Sequence, residues 1–355
     1  MSTPTALRQE LRFTQVSSGA RIAWARSGRG PPLLRTAHWM THVEYDAVSP
    51  LFRPWLERLG RGLTVYRFDE RGSGLSGTDD VLPGLESAVE EIGAVMAAAG
   101  LARTALLGMS GGAAPAIAYA ARHPEKVSHL ILLGGYSHGL LHRKPTAKTL
   151  AYVQAQAQLI ELGWGVRDAP VQQFITASMI PDGTPEQVAA LNEQQRRSCD
   201  GHRAAILFRS RLALDVRAEL AAVRCPTLVL HAQGDAAVSV EMGRELAAAI
   251  ADARFESLRT RNHVPLAGEP AFDRFCEAVS AFIGSGTADT ESRPFTPRER
   301  ELLTLVARGR DNLQIAAELG LADKTVRNAL SKLYTRLGVD GRSHAVVRSH
   351  ELGFR

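Results

Sequence analysis

Cysteine is scarce in this 355-residue chain: there are three, Cys199, Cys225 and Cys276, far apart. The spacing offers neither a Cys-x-x-Cys motif nor a disulfide framework, and a reducing, cytoplasmic setting is expected. Long apolar runs are also missing. No stretch approaches the roughly 20 apolar residues of a membrane helix. The opening MSTPTALRQELRF has no apolar centre of the signal-peptide kind. A soluble protein without a membrane partner is expected. His42, His123, His129, His138, His142, His202 and His231 lack metal-ligand spacing, so neither a metal nor a cofactor is expected. There is no internal repeat and no low-complexity tract.

What is present points to a packed globular chain. Hydrophobic residues make up 45% and charged residues 22%, too apolar for disorder. The length suits one large domain and a small one. The net charge of +5 is uneven: Glu291–Arg355 holds 12 Lys and Arg against 8 Asp and Glu, leaving 30 against 29 for the rest. A phosphate-facing module at the end of a near-neutral body fits that asymmetry.

The stretch from Gly284 to Pro294, GSGTADTESRP, has the composition of a linker. It separates a domain over 1–285 from one over 295–355, with the linker proper at 286–294. Within the first, RFTQV, ARIAWA, PLLRTA, LTVYRF, TALLGM, VSHLILLG, PTLVLHA and RFESLR are strand candidates, several of them apolar throughout, as strands covered on both faces are. Helical segments at Leu85–Ala99, Ala113–Arg122 and Val240–Ile250 fit crossovers of a mostly parallel, doubly wound α/β sheet. The alternation breaks between about 137 and 223, where a helical cap insertion is expected.

One short motif carries chemistry. GMSGG, Gly108–Gly112, follows an apolar strand and opens into the small-residue stretch AAPAIAYAAR. Such a strand–turn–helix context holds a serine, Ser110, on a tight turn, with the Gly111 N–H facing a developing oxyanion. An acid and then a histidine should follow. Asp235 stands past the strand PTLVLHA, and His263 in the loop after the last strand. In that arrangement His263 takes the Ser110 proton and Asp235 orients the imidazole.

On these residues the region 10–285 resembles the α/β-hydrolases. FDERGSGLSG is similar to a family segment after the fourth strand at Asp69, Arg71, Gly72, Gly74 and Ser76, where it implies a turn network. The sequence departs from the family at RTAHWM: His38 stands for the family histidine, and Trp39 replaces the usual glycine. Trp39 either donates its N–H to the oxyanion hole beside Gly111 or crowds the site. His38, Trp39, Met109, Trp164 and Met179 are the candidate pocket residues.

The last segment reads as helices. Thr296, Pro297 and Glu299 form a capping box; the helix ends at Gly309, a second runs from Asn312 to Gly320, and Asp323 caps a third. In the third, Val326, Leu330, Leu333 and Leu337 make an apolar stripe, while Lys324, Arg327, Asn328 and Ser331 face away from it. Periodicity alone fits a partner-binding bundle as well as a helix-turn-helix. The pattern resembles the LuxR-type DNA-binding domain at Thr296, Glu299, Glu301, Leu303, Ala307, Gly309, Asn312, Ile315, Ala316, Thr325, Val326, Leu337, Gly338, Val339, Arg342 and Ala345. Ala329 departs from it, where many members have histidine. The resemblance implies DNA contact by Lys324, Thr325, Arg327, Asn328 and Lys332, and a homodimer formed through the final helix, about Ser343–Leu352. Two expectations stand side by side. One is a transcriptional regulator whose hydrolase-like domain binds a small carbonyl, ester or lactone effector. The other is an active serine hydrolase whose tail only localises or oligomerises it.

Overall fold

The computed structural model describes residues 7–166, 170–291, 295–337, 339 and 341–354. Eight strands form one sheet: β1 (Glu10–Gln15), β2 (Arg21–Gly28), β3 (Pro32–Arg35), β4 (Thr64–Phe68), β5 (Thr104–Met109), β6 (Val127–Leu133), β7 (Thr227–Ala232) and β8 (Arg254–Leu258). Their order is β1-β2-β4-β3-β5-β6-β7-β8. The pairs β1–β2 and β2–β4 are antiparallel, and every later pairing is parallel. The apolar runs in β5 and β7 are buried at every residue, whereas β1 is exposed or half-buried throughout. Helices cover the central strands on both faces, and the edge strand faces water.

Short helices α1 (Val43–Asp46) and α2 (Arg53–Leu59) lead from β3 to β4, α3 (Leu85–Ala98) from β4 to β5, and α4 (Ala113–Arg122) from β5 to β6. Between β6 and β7 stands the cap, as four helices: α5 (Ala147–Gly163), α6 (Pro170–Met179), α7 (Pro185–Ser198) and α8 (Gly201–Leu212). Two begin at prolines, which suit a first helical position. Thr184 and Asp200 cap the last two through the backbone N–H groups of Gln187 and Arg203. Then α9 (Val240–Ala249) joins β7 to β8, and α10 (Pro270–Glu291) follows. The chain divides into two compact units, one up to Ile283 and one from Gly284. Helix α10 runs through 286–291, where composition gave a linker; no proline interrupts the chain before Pro294. Residues 292–294 lie outside the described residues.

The second unit holds α11 (Pro297–Ala307), α12 (Asn312–Leu319), α13 (Asp323–Leu337) and α14 (Arg342–Glu351). Thr296 and Glu299 form the expected capping box, and Asp311 with Gln314 forms a second one at α12. Gly309 (φ 75°) and Gly320 (φ 63°) end the first two helices in the left-handed region. Asp323 is the first residue inside α13 rather than its cap: the N–H groups of Thr325 and Val326 both reach Ala322 O. Leu302, Leu303, Val306, Ile315, Val326, Leu330, Leu333 and Ala345 close a small core.

Candidate active site and candidate nucleic-acid interface

Strand β5 carries Ser110 at its C-terminal end. Gly108 lets α4 lie against the strand, since a Cβ there would stand 2.7 Å from Ala113 Cα and 2.9 Å from Ala116 Cβ. Ser110 itself has φ 51°, a left-handed conformation that costs a non-glycine residue about 1–2 kcal/mol and recurs where function demands it. The segment after β3 lies over this turn: Thr36 Oγ1 donates to Gly112 O at 2.8 Å, and a Cβ on Gly112 would meet Ala37 O at 2.6 Å.

Asp235, on the turn after β7, and His263, in the loop after β8, meet as sequence order suggests: His263 Nδ1 lies 2.6 Å from Asp235 Oδ2. The other carboxylate oxygen accepts the N–H groups of Ala237 and Val238, each at 2.9 Å. Burial alone would raise the Asp235 pKa. Hydrogen bonds from His231 and His263 and the Val238 N–H outweigh it and hold the carboxyl well below the usual range. With Nδ1 donating to a carboxylate, His263 keeps an acceptor lone pair on Nε2, the form a general base needs. That Nε2 is buried without a hydrogen-bond partner among the described residues, so no bond joins it to the Ser110 hydroxyl. Gly134 (φ 57°) leaves room for the ring: a Cβ there would stand 2.7 Å from His263 Cε1. The cap also holds this loop, through His263 N–H to Met179 O at 2.8 Å.

Ser110, Gly111 and His263 line a cavity of about 430 Å³ between sheet and cap, together with His38, Trp39, Met109 and Met179. Trp164 is not on the wall; it is buried behind Trp39, their rings stacked with centroids 4.9 Å apart. The Trp39 indole also packs on Phe208 of α8 at 5.5 Å, so this bulky side chain is absorbed by the cap. His38 Nδ1 lies 2.5 Å from Trp39 O and can only donate to it. Burial, reinforced by the nearby Arg35, pushes the His38 pKa down to about 3, so the ring is neutral.

The segment after β4 is a turn network. Asp69 accepts the N–H groups of Val43 and Leu75 at 2.8 and 2.9 Å, and Ser76 Oγ donates to Asp69 O at 2.6 Å. Arg71 is buried among Asp79, Glu90 and Glu91.

Sequence reasoning missed several groups around the cavity. His231 is fully buried, with Nε2 2.9 Å from Val238 O and 3.4 Å from Asp235 Oδ2. Its position four residues before the acid was the available signal. Tyr136, Arg143, Gln194 and Arg211 also line the cavity. Nothing in FRSRL separates Arg211 from an ordinary surface arginine.

In the second unit Lys324, Thr325, Arg327 and Asn328 are exposed on α13, opposite its buried Val326 and Leu330. Arg327 pairs with Asp323 one turn earlier. The side chain of Lys332, and all of Gly338, lie outside the described residues. Helix α12 packs against α13, and α14 contacts α11, so the solvent face of α13 is presented by a three-helix support, the helix-turn-helix geometry.

Comparisons with known proteins agree with both halves. Residues 57–270 match the family model described as serine aminopeptidase, S33, and residues 293–349 match that of bacterial regulatory proteins, luxR family. The probable HTH-type transcriptional regulator GfsR of Streptomyces halstedii is 48% identical over 69 residues, 18% of this chain and 28% of that protein. The match thus spans little more than a quarter of that relative. The putative carbamate hydrolase RutD of Azorhizobium caulinodans is 26% identical over 263 residues, 72% of this chain and 92% of that protein. The esterase of Exiguobacterium antarcticum superposes with a TM-score of 0.64 at 21% identity, covering 77% of this chain and 98% of its own, a likeness of fold. Among the described residues no helix is long and apolar enough to cross a membrane. The matched model spans well over half of the sequence, and the chain therefore belongs to the α/β-hydrolase family described as serine aminopeptidase, S33, with a LuxR-type helix-turn-helix DNA-binding domain behind the hydrolase domain.

Proposed function

We propose that this protein is a ligand-responsive transcriptional regulator. A small carbonyl compound, an ester or a lactone, enters between sheet and cap, rests its carbonyl near Ser110 and the Gly111 N–H, and controls DNA binding by the C-terminal domain. The observation that carries this reading is the pairing, in one chain, of a 430 Å³ cavity over the Ser110 turn with an exposed basic face on α13. Lys324, Thr325, Arg327, Asn328 and Lys332 contact DNA, the basic ones by neutralising phosphates. One short recognition helix buries too little surface for tight binding, so the chain acts as a homodimer through α14. Control requires that the effector bind two states of the dimer with different affinity. The hydrogen bond from His263 to the cap at Met179 O supports the cap as the part that responds.

A second reading is favoured by the ready-made Asp235–His263 pair at 2.6 Å. Here the same site turns over its ligand, with Ser110 as nucleophile, His263 as base, and the N–H groups of Gly111 and Trp39 as the oxyanion hole. A regulator that slowly hydrolyses its own effector would reset its signal.

Fluorescence anisotropy on promoter DNA from the protein's own operon separates the two. Under the regulator reading, full-length Ser110→Ala still binds that DNA, and its affinity still responds to ligand. Under the hydrolase reading the substitution abolishes ester or lactone turnover, and ligand leaves DNA affinity unchanged. A wild-type chain that binds none of these fragments at low salt, with any ligand tried, would sink the regulator.

A further inference from the structure

The polar groups facing the cavity are not evenly mixed. Among the described residues, two arginines line it, Arg143 and Arg211, and no aspartate or glutamate does. Arg211, near the end of α8, is held from behind. Its Nη2 donates to both Glu70 oxygens, at 2.8 and 2.7 Å, and its Nη1 to Leu207 O at 3.1 Å. This grip fixes the guanidinium plane and leaves Nε–H buried with no partner among the described residues. That donor lies beside the reaction turn: a Cβ on Gly111 would lie 3.4 Å from Arg211 Nε and 3.3 Å from Tyr136 Oη. A buried donor left empty costs about 1–3 kcal/mol, so its retention beside a cavity calls for a ligand acceptor.

Arg143 stands at the exposed edge of the same wall. Its guanidinium lies over the Tyr136 ring, 5.5 Å from the centroid. Its Nε and Nη2 donate only to His138 O, at 3.1 and 2.8 Å. Among the described residues it has no carboxylate within ion-pair distance. Glu70 pairs with Arg211, so the wall keeps one positive charge that is outside any ion pair, with Glu245 acting on it from a distance. The other wall is mostly apolar, built by Val153 and Leu159 of α5 and by Phe174 and Ile175 of α6, with Gln156 and Ser178 beside them.

We propose that this cavity selects an anionic ligand: a carbonyl compound that also bears a carboxylate, received by Arg211 Nε–H and the Tyr136 hydroxyl under the field of Arg143, with its hydrocarbon part against α5 and α6. The proposal rests on the reading of the cavity as the effector site and adds the chemical class of the effector. Guanidinium groups favour carboxylates over neutral acceptors because the hydrogen bond is charge-assisted.

The test uses full-length Ser110→Ala, which has no hydroxyl to consume an ester, titrated calorimetrically with monoethyl glutarate and with diethyl glutarate at one ionic strength. The monoanion is expected to bind about tenfold tighter than the neutral diester, the gain of one charge-assisted hydrogen bond. The paired change Glu70→Gln/Arg211→Gln, which leaves no buried charge alone, is expected to bring the ratio down to about threefold, the part left to Arg143. Arg143→Gln, at an exposed position where folding is not at stake, lowers the ratio by about threefold, the size of a partly screened charge. No binding of the monoester, equal binding of both compounds, or a ratio that survives the paired change overturns the proposal. Promoter binding is scored separately. Anion preference without any change in DNA affinity removes the regulatory reading and keeps the anion site; DNA release by the diester but not the monoester does the reverse.

Discussion

Ser110 carries strain that its helix-opening neighbours do not share, and this gives a test that needs no substrate. At φ 51° a glycine is at ease where serine is not. Ser110→Gly therefore raises the thermal midpoint, by an amount matching about 1 kcal/mol, while removing the candidate nucleophile. A lowered midpoint would mean that the hydroxyl, not the backbone, dominates this position. His38 offers a second test, in pH. Its pKa in the folded protein is pushed down to about 3, against about 6.5 unfolded. Between those values the unfolded chain binds the proton and the folded chain does not, so stability rises with pH there. The contribution from His38 is complete above pH 6.5 and is lost as the pH falls toward 3. In an NMR titration its Cε1–H resonance should stay flat from pH 7 to pH 5; a midpoint near 6.5 would contradict the buried, neutral ring. Ser110, Asp235 and His263 could be picked out of the sequence as candidates because each follows a strand, and the structure brings Asp235 and His263 into contact. Arg211 and Tyr136 could not, since the folded cap brings Arg211, and the pairing of β5 with β6 brings Tyr136, beside Gly111.

At the scale of elements, the β5–turn–α4 unit depends on small residues at its crossing. Gly108→Val places three carbons where even a Cβ would stand 2.7 Å from backbone. Overpacking of this kind costs typically about 1–3 kcal/mol, and the expected result is a lower thermal midpoint together with loss of ligand binding. An unchanged midpoint would show that α4 can slide outward. The central strands were readable from their apolar runs, because a doubly covered sheet leaves that signature; the edge strand β1 is exposed or half-buried and has no such run. The cap was readable only as an interruption. Its helix α5 buries just Val153, Ala157 and Ile160, too narrow a stripe to set its ends, while prolines and the caps Thr184 and Asp200 mark its successors. The continuation of α10 over 286–291 was hidden by a composition typical of linkers. Asp323 misled for a related reason: it suits a helix cap as well as a first turn, and the backbone chose the turn.

For the molecule as a whole, charge is concentrated in one unit. Of the net +5, the last 65 residues hold +4, from 12 basic and 8 acidic side chains. Binding to duplex DNA should therefore weaken steeply with salt. Lys324→Ala and Arg327→Ala are each expected to reduce the slope of log affinity against log salt by about one, weakening all sequences alike if their contacts are to phosphate. An unchanged slope in both would move the DNA surface off α13. Arg327 is paired to Asp323 on the exposed surface, and such a pair is worth only about 0.3–0.5 kcal/mol, so releasing the guanidinium to a phosphate is cheap. The two halves of the chain were separated in the sequence by the linker-like composition of Gly284–Pro294. The cavity was legible only in part: His38, Trp39, Met109 and Met179 line it as expected, whereas Tyr136, Arg143, Gln194 and Arg211 went unread because its walls come from segments far apart in the chain.

The stacked indoles of Trp39 and Trp164, 4.9 Å apart, have an optical consequence. Two such chromophores at that separation couple their transitions, and their circular dichroism depends on the angle between them. Trp39 lines the cavity and Trp164 does not, so a compound that enters the cavity meets one ring of the pair and not the other. Any change in the angle between these two rings would therefore be readable in the ultraviolet without a label.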